Sequence, residues 1–172
     1  MNTKRLVTLS ILLTISIVLS VLESFFIPSF SVPGAKLGLA NIVTIIIIYQ
    51  FGEKDAFMVL VLRIFLVGLL SGSIFNFPFW LSVSGGMVAF AMMFLFKKFK
   101  VFNMISVSVM GSLGHSLGQI VMAIFILDTA ELAYYFPLLF MIAIPTGIFV
   151  GFTSTKFLNI MQEQIGDKEL YE

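Results

Sequence analysis

Phe57-Met-Val-Leu-Val-Leu-Arg63-Ile-Phe-Leu-Val-Gly-Leu-Leu70 places one arginine in the middle of an otherwise uncharged apolar run. A guanidinium at membrane depth costs roughly 2.5–3.5 kcal/mol on insertion scales, so it marks a pathway, a ligand site or an internal ion pair. The rest of the chain agrees with a bilayer as its solvent. Its 172 residues are 59% hydrophobic and only 11% charged, and the mean hydropathy is +1.09. A soluble domain of this length needs more charge on its surface.

Working outward from Arg63, apolar segments recur between short polar breaks. The expected spans are residues 6–26, 37–51, 56–71, 78–96, 103–127 and 134–158. Spans two and three are short against the roughly 20 residues that a 30 Å hydrocarbon core requires, which is tolerated where the backbone lines a cavity. The breaks carry turn and charge signals: Pro28 to Pro33-Gly34, Gly52-Glu-Lys-Asp55, Gly72 to Pro78, Lys97 to Lys100, and Asp128 to Glu131. The apolar run Leu6 to Leu22 is longer than a signal-peptide core and lacks a small-x-small cleavage site close behind it, so it reads as a retained first helix. Residues 1–161 form a single six-helix transmembrane domain in this reading, and 162–172 a short polar cytoplasmic tail. No internal repeat relates the first three spans to the last three.

Six spans put Lys4, Arg5, Lys54, Lys97, Lys98, Lys100, Lys156 and Lys168 on one side and Lys36 alone on the other. The positive-inside rule then places both termini in the cytoplasm. The opposite, outer side collects aromatic residues: Phe25-Phe26, Phe75-Asn76-Phe77-Pro78-Phe79-Trp80 and Tyr134-Tyr135-Phe136. Two readings stand for them, an interfacial belt and an aromatic wall over a pocket.

At about 1.5 Å per residue, Arg63 and His115 fall near the midplane of spans three and five, with Gln119 one turn outward of His115. Glu23 lies about a turn inside the outer end of span one, and Asn41 a little deeper than a turn in span two, just after Lys36. Glu23, Lys36, Asn41, Arg63, His115 and Gln119 are therefore expected to converge in the outer half of the bundle. Each has a plain alternative. Arg63 pairs with Glu23 or meets an anionic ligand; His115 is a satisfied core histidine or a ligand or proton-handling group. Asn41 and Gln119 are interhelical hydrogen-bond partners or ligand contacts, and Lys36 snorkels or binds. Asn76, Phe79, Trp80 and Tyr135 would cover the apolar part of a solute. Four GxxxG motifs, beginning at Gly34, Gly68, Gly114 and Gly147, read first as close-packing faces. Ser16 and Ser20 make a small-xxx-small pair on span one, either packing inward or docking a membrane partner.

The net charge of +1 and the short basic run disfavour nucleic acid as a partner. With one histidine, no cysteine and nine scattered carboxylates, the sequence offers no metal motif, no P-loop, no aspartate-rich diphosphate motif and no nucleophile–base arrangement. Neither catalysis nor a cofactor is expected of this chain alone.

The block Pro33-Gly-Ala-Lys-Leu-Gly-Leu-Ala-Asn-Ile-Val-Thr44 resembles the signature of the Gx transporters, also described as heptaprenyl diphosphate synthase component I. The resemblance continues through Arg63, Gly68-Leu-Leu-Ser-Gly72, Phe79-Trp-Leu-Ser82, Gly85-Gly86, Gly111-Ser-Leu-Gly-His-Ser-Leu-Gly-Gln119 and Tyr135-Phe-Pro-Leu-Leu139. It implies a bacterial cytoplasmic-membrane protein similar to the substrate-binding S components of energy-coupling-factor transporters. Those are six-helix subunits that bind a small solute from outside and join a transmembrane coupling subunit with two ATPases. Their first helix often docks through alanine-xxx-alanine; here Ser16-xxx-Ser20 departs from that pattern. The alternative description implies a non-catalytic membrane partner of a soluble prenyl diphosphate synthase, and relatives are linked with flavoproteins of extracellular electron transfer. Solute, coupling module, membrane lipid, and synthase or flavoprotein are therefore the expected partners.

Overall fold

The computed structural model describes residues 3–26, 38–99 and 101–165. Among them the chain is helical throughout, with six α-helices: α1 (Thr3–Phe26), α2 (Asn41–Gln50), α3 (Glu53–Leu70), α4 (Phe77–Lys98), α5 (Met104–Leu127) and α6 (Phe136–Ile165), the last preceded by a 3₁₀ segment, Ala130–Tyr135. Four of these, α1, α4, α5 and α6 with its 3₁₀ lead-in, are long and apolar enough to cross a membrane. The chain is thus built as a multi-pass membrane protein. The other two differ for separable reasons. α2 is uncharged and mostly apolar but has only ten residues; α3 has eighteen but carries Glu53, Lys54, Asp55 and Arg63. α6 runs to Ile165, beyond the end expected near 158, because Asn159, Gln162 and Glu163 are polar without breaking a helix and no glycine intervenes before Gly166.

Helix ends follow local chemistry. Asn103 caps α5, its side-chain oxygen accepting from the Ser106 N–H at 2.8 Å. Pro78 sits in the first turn of α4, where its missing N–H costs nothing. Gly52, at φ 97°, makes the reversal between α2 and α3, and Gly72, at φ 62°, the one after α3.

The helices pack as a bundle with α5 as its axis, antiparallel to α4 on one side and α6 on the other. Glycine makes both contacts close. A Cβ built on Gly118 would stand 2.6 Å from the Ser84 carbonyl oxygen, and on Gly147 and Gly151 2.6 Å and 2.7 Å from the Cα atoms of Val109 and Ile105. The motifs beginning at Gly114 and Gly147 are therefore packing faces. The one beginning at Gly68 ends in a turn glycine, and Gly34 lies outside the described residues. A cluster of Leu9, Leu12, Ile45, Ile47, Ile48, Val59, Met93 and Val107 fills the end of the bundle near the N-terminus of α1.

That end is also tied by charge. The Arg5 guanidinium donates to Asp55 Oδ2 at 2.6 and 2.9 Å and to the Phe51 carbonyl at 3.2 Å. Lys97 donates to the Ile48 carbonyl and lies 5.0 Å from the Tyr49 ring centroid. The two cations thus cap orphan carbonyls at the C-terminus of α2. Because the Arg5 side chain is 40% exposed, Asp55→Asn is expected to cost no more than about 1 kcal/mol. Thermal unfolding in mild detergent at low and high salt checks this; a large, salt-independent loss would show the pair to be desolvated instead.

Candidate functional site

The short α2 makes the site. Ten residues rise about 15 Å, half of a bilayer core, so the helix begins at Asn41 inside the bundle rather than at its far end. Counted from the charged end, Asn41, Arg63 and His115 stand at about the same height, roughly 14–16 Å along their helices. Beyond Asn41 the described residues line a cavity of about 750 Å³. That is within the usual size range for small-molecule sites.

Arg63, Asn41, Glu23 and His115 give the cavity its polar groups, while Ile64, Val67 and Phe79 are among the residues of its apolar wall. All four polar residues are buried, Arg63 at 5% exposure and Asn41 at 2%. The Arg63 guanidinium feels the Glu23 carboxylate electrostatically, and Glu23 Oε1 accepts a hydrogen bond from the Gly38 N–H. Arg63 Nη1 and Asn41 Nδ2, both donors, have no hydrogen-bond partner among the described residues. Buried donors without acceptors are costly, by about 1–3 kcal/mol each and more when charged. Two of them on one cavity wall are chemistry suited to an anion or a carbonyl-rich group.

The cavity's wall around Phe79 is set by the absence of a side chain at Gly68. A Cβ there would meet Phe79 Cδ2 at 2.9 Å and Ile74 Cγ1 at 3.1 Å. The ring is held from its other side by Phe75 and Trp80, at centroid distances of 5.7 and 5.6 Å. Phe75 itself adopts φ 59°, a conformation that a bulky residue seldom takes, and its carbonyl accepts from Trp80 Nε1 at 3.2 Å. Gly68→Ala is expected to push the Phe79 ring inward. Solute affinity would fall several-fold while thermal stability moves by less than about 1 kcal/mol, and Phe79→Leu in the same chain would restore it. Equal losses of stability and affinity would show a packing role only.

Of the residues expected to converge, Glu23, Asn41, Arg63 and His115 line this one cavity, joined by Phe79 from the expected apolar cover. Gln119 does not: it is fully buried beside His115, its Cγ 2.7 Å from where a Gly85 side chain would begin, and neither its amide oxygen nor its nitrogen has a partner among the described residues. Trp80 and Asn76 stand at the α3–α4 turn, and Tyr135 in the 3₁₀ segment; none of the three lines the cavity, and all are exposed. Lys36 lies outside the described residues. Ser16 is buried at 1% exposure, and Ser20 is half-buried and lines the cavity. Both therefore face inward in the bundle. Ser71 and Ser73, whose hydroxyls are 2.7 Å apart, were not expected and also line the cavity.

A family model described as heptaprenyl diphosphate synthase component I matches residues 12–157. The chain belongs to that family. No curated protein and no solved structure matches it. The component I match spans every residue of the cavity, from Ser20 on α1 to His115 on α5. Its description names one component of a synthase, which is compatible with a multi-pass membrane subunit.

Proposed function

We propose that this component I protein is a solute-binding membrane subunit, taking a small amphipathic solute with an anionic group into the cavity beyond α2. The observation that carries this is Arg63: a buried guanidinium, one nitrogen without an acceptor among the described residues, on the wall of a 750 Å³ cavity. Arg63 supplies the charge, Asn41 and His115 supply hydrogen bonds, and Phe79 with Val67 covers the apolar portion. In this reading the six helical segments thread the bacterial cytoplasmic membrane with both termini inside, α2 crossing about half of its core, and the cavity opens outward. Support comes from the clustering of Arg5, Lys97 and Lys98 at the end opposite the cavity, as the positive-inside rule requires.

The subunit would act as an S component, with energy supplied in trans by a coupling subunit and two ATPases. A second reading is favoured by the family's description: a non-catalytic membrane partner of a prenyl diphosphate synthase, holding an amphipathic molecule in the same cavity. Native mass spectrometry of the complex purified in mild detergent separates them. A retained small molecule with a coupling subunit and ATPases supports transport; a soluble synthase supports the partner reading. An apo protein with neither removes the binding-subunit reading.

A further inference from the structure

The first turn before α2 already holds an anion, and that anion is Glu23. The chain turns at Gly38, with φ 71°, into Leu39-Ala40, and the N–H groups of Asn41 and Ile42 donate back to the Gly38 and Leu39 carbonyls at 2.9 and 3.1 Å. The helical turn therefore begins at Gly38, one turn before α2 proper, and the Gly38 N–H donates to Glu23 Oε1. A carboxylate there is favoured by the positive end of the helix dipole. It is favoured again by Arg63, which lines the same cavity. Asn41 Nδ2, 98% buried by its 2% exposure and with no acceptor among the described residues, stands on the same turn, 3.0 Å from the position of a Gly38 Cβ.

The Gly38 N–H, the Asn41 amide and the Arg63 guanidinium thus border one cavity beside the Glu23 carboxylate, which takes the first of these donors and leaves Asn41 Nδ2 and Arg63 Nη1 unmatched among the described residues. Glu23 reaches the cavity from α1, a helix whose backbone packs against α2 and α3. Resting on the binding-subunit reading above, we infer that Glu23 is an internal placeholder: it occupies the anion position of the empty cavity, and the solute's anionic group displaces it. The solute's acidic group is therefore a compact monoanionic or dianionic oxyacid, carboxylate or phosphate, sized to replace a carboxylate. Affinity in the wild-type protein reflects competition between the two anions rather than the full strength of the site.

This has an outcome opposite to that of a direct contact. Removing a binding residue weakens binding; removing a competitor strengthens it. Glu23→Gln keeps the shape and an oxygen for the Gly38 N–H while deleting the charge. The probe is phenyl phosphate, a small, water-soluble amphipathic oxyanion, titrated calorimetrically at fixed pH and salt against the full chain in lipid nanodiscs. Glu23→Gln is expected to bind it at least about tenfold more tightly than wild type, because a like charge a few ångströms away is removed. Glu23→Asp, with the charge kept but withdrawn by one methylene, should fall between. Equal or weaker binding by Glu23→Gln overturns the inference, as does absence of binding in every variant. The underlying reading fails separately: there, the solute retained from growth medium by wild type would be retained equally by Arg63→Ala. Matching thermal unfolding of Glu23→Gln and wild type guards against a folding artefact, and Glu23→Asp repeats the test if the first variant is unstable.

Discussion

Arg63→Ala inserts normally and loses its solute by about a hundredfold or more. Insertion is spared because deleting an arginine from the middle of an apolar helix removes a cost of roughly 2.5–3.5 kcal/mol. Binding is lost because hydrogen bonds to a charged group contribute about 1.5–3 kcal/mol each, and a guanidinium forks two of them onto an oxyanion. Two such bonds at the low end correspond to about two factors of ten. Arg63→Lys is expected to recover only part, since an ammonium is a point charge without the fork. One confounding effect is stability: Glu23 is left buried without the guanidinium's field, and stranded charges are destabilising. The double variant Arg63→Ala/Glu23→Gln removes both charges, and should regain thermal stability without regaining binding of the natural solute. Retention of solute by Arg63→Ala, measured by native mass spectrometry, would make Arg63 a structural ion-pair residue and end the site assignment.

Gly118→Ala carries the largest expected effect on stability. The new Cβ would lie 2.6 Å from the Ser84 carbonyl oxygen, 2.9 Å from its carbon and 3.0 Å from the Gly85 Cα. All three are backbone atoms of α4, so no rotamer change relieves the contact and the two helices must separate. Separation also stretches the Ser84 hydroxyl bond to the Gly118 carbonyl, 2.7 Å in the native protein. Overpacking of this kind costs about 3 kcal/mol, at the upper end of its usual range. Gly86→Ala is the matched control, because its Cβ would meet only side-chain atoms: the Cδ1 atoms of Ile64 and Leu60 at 3.1 and 3.2 Å and, in ordinary contact, Arg63 Nη2 at 3.7 Å. Those are side-chain tips that can yield, and the expected cost is below about 1 kcal/mol. Thermal unfolding of both variants in detergent decides; equal losses would mean that α4 and α5 are not held at this distance by glycine.

The comparison of these two glycines also shows where sequence reading stops. Gly86 and Gly118 are each a single missing side chain within an apolar helix, yet one faces side-chain tips and the other a backbone. Likewise the GxxxG motifs beginning at Gly114 and Gly147 are helix contacts, whereas that beginning at Gly68 ends in a turn at Gly72 with φ 62°. His115 and Gln119 differ by only about 40° around α5, but one lines the cavity and the other is sealed against Gly85. Ser16 and Ser20 have the same relation on α1, where Ser16 is buried and Ser20 half-buried on the cavity wall.

Hydropathy, helix period and break chemistry are properties of neighbours along the chain. From them follow the membrane as solvent, the all-helical class, the positions of the breaks and the depth of Arg63, Asn41 and His115. Those quantities need only the rise of a helix. The cavity, the Glu23 carboxylate on the Gly38 N–H and the close α4–α5 contact depend instead on where α2 begins and how helices cross. These are set by packing between segments far apart in sequence, which no local pattern encodes.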